Sequence, residues 1–251
     1  MKPIIGNMTD STPTSAIVNL YYRVLYQFIL GLVLFFIKLG SPARSLKFLL
    51  RLDSALYKLQ GQLSIVYGNG IHPKYRLMNY HDCFVMRIFS NDHVMDIGCG
   101  IGAVAYDVAQ VAARVVGMDI EKKNIKCASE HYTHPNLVLR VGDILQAFPD
   151  EKYNVVILSN VLEHLPECPV FLRRVQKTLK PERFLIRVPL FERDWRAPLK
   201  KELGVEWRLD GTHEIEFTIE TFAAEMREAG LVVKHLEVRW GEIWTELLPA
   251  N

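Results

Sequence analysis

The stretch HVMDIGCGIGAVAYDVAQ, residues 93–110, decides how the rest of the chain reads. Its opening residues are built on Val94, Met95 and Ile97 and run into a glycine-rich turn, Gly98-Cys99-Gly100-Ile101-Gly102, after which a helix-forming run begins at Ala103. Glycine takes unusual dihedrals without a Cβ clash and lets a ligand approach the backbone. A strand, such a turn and a helix in succession deliver a helix N-terminus and free backbone N–H groups to the mouth of a sheet, a place suited to a carboxylate or phosphate. The spacing of Gly98, Gly100 and Ala103 also fits the dinucleotide pattern G-x-G-x-x-A, and a tight βα turn with no ligand reads the same way.

Working outward, apolar strands and helical runs alternate. Strands are expected at His93–Ile97, Val115–Asp119, Leu137–Val141, Asn154–Ser159, Arg183–Val188 and Leu231–Val238, with a weaker one near Trp240–Leu247. Helices are expected at Ala103–Ala112, Lys122–His131, Cys168–Leu179 and Ile219–Ala229, and a further helical stretch near 75–89. Alternation of this kind predicts an α/β fold, a parallel sheet covered by helices on both faces.

The 251 residues suffice for one such domain with an N-terminal extension, and 49% apolar content supplies its core. Thirty Lys and Arg stand against 28 Asp and Glu, so no electrostatic case arises for nucleic acid as a partner. Cys83, Cys99, Cys127 and Cys168 show no CxxC spacing, so no metal site and no disulfide framework is expected, and a cytoplasmic catalytic domain follows.

Residues 1–15 are polar and rich in Ser, Thr and Pro, and read as a mobile tail. Residues 16–65 form a helical extension ahead of a domain at 66–251. Its first part, through residue 39, is strongly apolar, and Asn19, Arg23 and Gln27 share one helical face. Residues 43–59 place Arg44, Lys47, Arg51, Ser54 and Lys58 on one side and Leu46, Leu49, Leu50 and Leu56 on the other. This basic amphipathic pattern after an apolar helix predicts that residues 16–58 lie on a membrane surface or cross it once; a helix packed on the domain is the competing reading.

The string V-M-D-I-G-C-G-I-G, residues 94–102, closely resembles motif I of the class I S-adenosylmethionine-dependent methyltransferases, and the resemblance extends in order over roughly residues 75–235. It implies a seven-stranded, mostly parallel Rossmann-like sheet and S-adenosylmethionine as cofactor. Asp96, Gly98, Cys99, Gly100 and Gly102 would then hold its amino-acid end. Asp119, closing the second strand, would bond both ribose hydroxyls, since a carboxylate accepts two hydrogen bonds from a vicinal diol. Ile120 would lie against the adenine, Asp143 would accept from its exocyclic amine and Ile144 would cover a ring face. L-S-N-V-L-E-H-L, residues 158–165, resembles the motif after strand four in small-molecule methyltransferases and places Asn160 and Val161 under the methionine portion.

Methyl transfer needs alignment more than acid–base help. His164 and, in the run WRLDGTHEIEFTIETF (207–222), His213 are the candidates for a base, with ordering of their loops as the alternative. The expected acceptor is a small or lipid-like molecule. A dinucleotide-dependent oxidoreductase and a non-catalytic cofactor-binding module are the rival readings.

Overall fold

The structure is a computed structural model that describes residues 13–147, 149 and 151–250. The chain runs α1 (Pro13–Leu39), α2 (Pro42–Tyr67), α3 (Lys74–Leu77), α4 (Asp82–Val85), β1 (His93–Ile97), α5 (Ala103–Ala109), β2 (Arg114–Asp119), α6 (Lys122–His131), β3 (Leu137–Val141), β4 (Val155–Ser159), α7 (Cys168–Leu179), β5 (Arg183–Pro189), α8 (Arg196–Glu202), α9 (Ile219–Glu228), β6 (Leu231–Arg239) and β7 (Glu242–Pro249). The expected tail lies outside the described residues up to residue 12. Its last three positions open α1, where Pro13 takes the first helical place that tolerates a missing N–H.

Two compact units emerge, residues 1–56 and 57–251. In the first, the 23 residues Ile17–Leu39 have a mean hydropathy of 1.8 and none of the stretch is buried. At 1.5 Å per residue that length is ~35 Å, enough to cross a hydrocarbon layer of roughly 30 Å. The helix stops at Gly40, and the Ser45 hydroxyl donates to the Ile37 carbonyl at 2.9 Å, satisfying one of the acceptors that a helix end leaves open.

In the second unit the sheet order is β3-β2-β1-β4-β5-β7-β6. The first five strands are parallel and β7 runs antiparallel to both β5 and β6. Alternate residues feed two cores. Met95, Ile97, Val156, Leu158, Phe184 and Ile186 pack with Leu172 of α7 and Phe222 of α9. Val94, Val155, Ile157, Leu185 and Trp244 pack with Phe84 of α4 and Val108 of α5. Each such large side chain removed from water contributes about 1.5–3 kcal/mol, so the two faces together fix the strand register.

That register decides what reaches the carboxyl edge. Asp96 shares the α5 face with Val94, and Arg187 of β5 sits on the same face, opposite Ser159 on one side and Trp244 on the other. Ligands of open α/β sheets bind at this edge. Thr218 caps α9 by accepting from the Thr221 N–H at 3.2 Å, and the Thr221 hydroxyl returns a bond from the Thr218 N–H at 2.9 Å.

Candidate active site

The turn after β1 is bound tightly to β2. Gly98 and Cys99 donate their backbone N–H groups to the Met118 carbonyl at 2.8 and 3.1 Å, Gly102 donates to Cys99, and Gly100 donates to Oδ2 of Asp119 at 2.8 Å. The free amides expected at the turn are therefore largely spoken for, because stitching the turn to the neighbouring strand takes the same donors. What the turn offers a ligand is closeness. At Gly98 (φ +69°) a Cβ would stand 2.6 Å from a Val161 methyl, whereas at Gly100 (φ +55°) a Cβ would meet nothing within 4 Å. Gly98 is small because the protein packs on it, and Gly100 faces open space.

That space is a cavity of about 160 Å³ lined by Asp96, the turn residues Gly98 to Ile101, Ser159, Arg187, Tyr75 and His81. Three buried polar groups on its wall have no hydrogen-bond partner: both oxygens of Asp96, Nη1 of Arg187 and Nε2 of His81. Burial, opposed by Arg187 and reinforced by Asp119, pushes the Asp96 carboxyl up to about 7. Arg187 gives its Nε–H to Oδ1 of Asn160 at 3.1 Å and lays its guanidinium 4.5 Å from the Tyr80 ring centroid. His81 is fixed through Nδ1, 2.6 Å from the Asp107 carboxylate. An unmade hydrogen bond on a buried group costs about 1–3 kcal/mol, more when the group is charged. A carboxylate and a guanidinium left unsatisfied in one cavity are matched to the ammonium and carboxylate of an α-amino acid. The volume lies below the roughly 300–1,000 Å³ of a whole small-molecule pocket, so this cavity takes one end of a larger ligand.

The other expected site residues fall around it. Asp119 is buried at the end of β2, where Oδ1 accepts from the Glu121 N–H at 2.8 Å and from Asn124 at 3.1 Å. With Gly100 on Oδ2, it already joins the glycine turn to the start of α6. Ile120 is 63% exposed at the strand end, the position for a flat apolar ligand. Asp143 accepts from the Leu145 N–H and from Gln146, both at 2.9 Å, while Ile144 is buried with the core beside α7. Asn160 adopts φ +58°, which aims its side chain at Arg187, and Val161 packs on Gly98. Burial and the two aspartates raise the Cys99 thiol far above its ordinary range, so it stays protonated and inert.

His164 and His213 come together edge to face, ring centroids 4.8 Å apart. Neither lines the Asp96 cavity. His164 Nδ1 meets the Thr212 hydroxyl at 3.1 Å, and burial followed by the charge of His213 lowers its pKa. His213 is buried with Nδ1 on Oε1 of Glu216 at 3.1 Å, and the other oxygen of Glu216 pairs with Arg193. Near both rings is Glu163, fully buried, its carboxylate without a partner and pushed by burial up to about 7. The ligand atoms of Glu163, His164 and His213 lie within 4.8 Å of one another, a set that could hold a divalent cation although the cysteine spacing gave no reason to expect one.

Arg187 and His81 were not singled out as ligand-holding groups by sequence. A signal existed for Arg187, a cation in the middle of the apolar strand RFLIRVP that Arg183 opens. His81 lies in the segment ahead of the core that lids the cofactor in the family the turn resembles, but its Asp107 partner lies on a different helix.

Residues 95–186 match the family described as a methyltransferase domain. The chain is 32% identical to the ubiquinone biosynthesis O-methyltransferase of Bradyrhizobium diazoefficiens over 127 residues, 48% of this chain and 50% of that protein. It is 28% identical to the enzyme of the same name from Rhodopseudomonas palustris over 163 residues, 59% of this chain and 64% of the other. The chain thus spans between half and two thirds of the length of these curated relatives. Among solved structures, magnesium protoporphyrin IX methyltransferase from Synechocystis with bound S-adenosylhomocysteine superposes with a TM-score of 0.55 at 18% identity, covering 68% of this chain and 83% of that one. An S-adenosylmethionine-dependent methyltransferase from Mesorhizobium loti gives 0.51 at 14% identity, covering 70% and 97%. The fold, the strand order and the matched segment agree with what the turn at 94–102 first suggested: residues 95–186 carry a methyltransferase domain, on a fold shared with S-adenosylmethionine-dependent methyltransferases.

Proposed function

We propose that this protein transfers the methyl group of S-adenosylmethionine to a small-molecule acceptor, and does so at a membrane surface. One observation carries the reading: Asp96 and Arg187, buried and each with unsatisfied polar atoms, line one cavity beside the glycine turn and complement the two charged ends of an amino acid. Asp96 takes the ammonium, and Arg187 with His81 takes the carboxylate. The turn from Gly98 to Gly102 lets the chain between them lie on the backbone. Asp119 keeps acceptor capacity for the ribose hydroxyls beyond its present bonds, and Ile120 covers the adenine, with Asp143 at its amine.

When bound, the cofactor would supply an activated methyl group with a thioether as its leaving group, so that the acceptor need only give up a proton. The chain's task is alignment and receipt of that proton. Glu163, whose carboxylate lies within 4.8 Å of ring nitrogens of His164 and His213, is the group suited to receive it. The ubiquinone-pathway relatives support a small-molecule acceptor with a hydroxyl nucleophile.

The membrane part rests on α1, whose unburied apolar length leads into the basic face of α2 at Arg44, Lys47 and Arg51. Positive charge after an apolar helix favours the cytoplasmic side, where the cofactor is made.

Calorimetric titration of the full chain with S-adenosylmethionine, S-adenosylhomocysteine and NAD tests the reading. Heat with the first two and none with NAD is the expected result; no heat with the first two overturns it.

A further inference from the structure

A second, larger cavity of about 560 Å³ opens on the same edge of the sheet. Its walls come from Tyr57 and Ser64 of α2, Lys74 and Tyr80 ahead of β1, and Trp240 and Glu242 at the β6–β7 turn. Glu242 pairs in register with Pro189, the last residue of β5, so the cavity sits beside the carboxyl end of that strand. The wall between the two cavities is shared. Arg187 lines the first and stacks on Tyr80 of the second, and Tyr75 of the first follows Lys74 of the second.

Two cations meet at one ring on the wall of the second cavity. The Lys74 ammonium and the Arg187 guanidinium each lie 4.5 Å from the Tyr80 ring centroid. Glu242, the acid on this wall, accepts the Tyr80 hydroxyl. Arg193, also on the wall, is taken by Glu216 and the Trp207 carbonyl. Among the described residues Lys74 has aromatic contacts but no carboxylate partner. Burial first and then the neighbouring Arg187 draw its pKa down, against the opposing pull of the Glu242 carboxylate. Opposite it, the Trp240 ring is stacked on Tyr80 with centroids 5.5 Å apart at 25°, and its backbone is held at φ +53°.

We propose that this cavity receives the methyl acceptor, and that the acceptor carries an anionic group, a carboxylate or a phosphate, bound by Lys74 while its flat apolar body lies along Trp240. Calling the ligand an acceptor rests on the methyltransferase reading; the anion preference rests on Lys74 alone. The anion would bring Lys74 a partner at contact distance, which Glu242, acting from farther off, does not, and the shared Arg187–Tyr80 wall would keep the acceptor next to the cofactor's amino-acid end.

Ligand-observed saturation-transfer NMR on the full chain, with S-adenosylhomocysteine saturating, compares three fragments: benzoate, phenyl phosphate and benzamide. At least one of the two anions is expected to bind about tenfold more tightly than benzamide, the usual worth of one charge-assisted contact. Which anion wins identifies the group. Lys74→Gln should erase the preference and Lys74→Arg should retain it, with S-adenosylhomocysteine heat unchanged in both, which also shows that both variants fold. Equal binding of all three fragments, or a preference that survives Lys74→Gln, overturns the proposal. Either of these outcomes with normal S-adenosylhomocysteine heat leaves the methyltransferase reading standing; absence of that heat in the native chain overturns that reading and with it the ligand's role.

Discussion

Gly100 gives its backbone N–H to the Asp119 carboxylate across 2.8 Å, so the residue that closes β2 also holds the turn that closes β1. Asp119 therefore shapes the site before any ligand arrives, and its substitution acts twice. Asp119→Ala should weaken S-adenosylhomocysteine by roughly 100-fold or more, since two contacts to an ionised acceptor are lost and each is worth about 1.5–3 kcal/mol. Asp119→Asn keeps one acceptor oxygen and should fall between. Calorimetry on both variants checks this; equal affinities for native protein and Asp119→Ala would remove Asp119 from the site.

Gly98 and Gly100, two residues apart on the same turn, should respond differently. Gly98→Ala drives a Cβ to 2.6 Å from Val161 and keeps a left-handed backbone, so thermal stability should drop by about 1–3 kcal/mol. Gly100→Ala meets no atom within 4 Å, so its stability loss should be confined to the left-handed strain of about 1–2 kcal/mol, while cofactor affinity falls because the new methyl enters the ligand's space. Melting curves paired with S-adenosylhomocysteine titrations separate the two, and a Gly100→Ala protein with native affinity would place the ligand elsewhere.

Asp96 makes cofactor binding pH-dependent. Its folded pKa, about 7, lies above the ordinary carboxylate value of 3.8, so the folded chain binds a proton that the unfolded chain has released. Stability from this group is full below pH 4 and declines as pH rises to 7, by on the order of a few kcal/mol. An ammonium placed beside Asp96 favours the ionised form, so S-adenosylhomocysteine affinity should rise as pH climbs towards about 7, with release of a proton, measured as a buffer-dependent binding enthalpy. Asp96→Asn should raise the melting temperature of the ligand-free protein at pH 8 and abolish the pH slope of binding.

The parts of this site that sequence made legible are those set by local chemistry. A glycine turn after an apolar strand, Asp119 at a strand end and the order of strands can be read residue by residue, and all the expected strands formed within a residue or two. Arg187 was hidden because its meaning comes from register: only the pairing with Ser159 and Trp244 turns that side chain toward Asp96. Lys74 and Trp240 are 166 positions apart and share a wall only through the fold. Helix α8 was missed because RAPLKKE carries a proline and no apolar stripe, and α2 runs on to Tyr67 through Gly61, where tolerance of a helix glycine overrides its modest cost.

Removing residues 1–40 takes away α1 and leaves the unit from residue 57 onward intact. The full chain should partition with membranes and resist extraction by high salt, because an apolar helix with no buried residue binds through area, which salt does not screen. The shortened chain should sediment as soluble protein or be released by salt, with S-adenosylhomocysteine affinity unchanged. A full-length chain that stays soluble without lipid or detergent would end the membrane reading.

Glu163 is the second buried carboxylate without a partner, and its pH signature has the same sign as that of Asp96 with a different consequence. With a folded pKa of about 7 against an ordinary 4.5, it too costs stability as pH rises from about 4.5 to 7 and is neutral to stability below that window. Glu163→Gln should therefore raise the melting temperature at pH 8 and leave it little changed at pH 4, while S-adenosylhomocysteine affinity stays native, because Glu163 is outside the Asp96 cavity. Turnover with an acceptor should fall and lose its dependence on a group titrating near 7. Adding manganese is the companion measurement, since a cation bound by Glu163, His164 and His213 would favour the ionised carboxylate and neutral imidazoles. A melting temperature that rises with manganese in the native chain and not in Glu163→Gln assigns the cluster to a cation. An unchanged melting temperature leaves Glu163 as the group that takes the acceptor's proton, and a Glu163→Gln protein with full turnover excludes both roles.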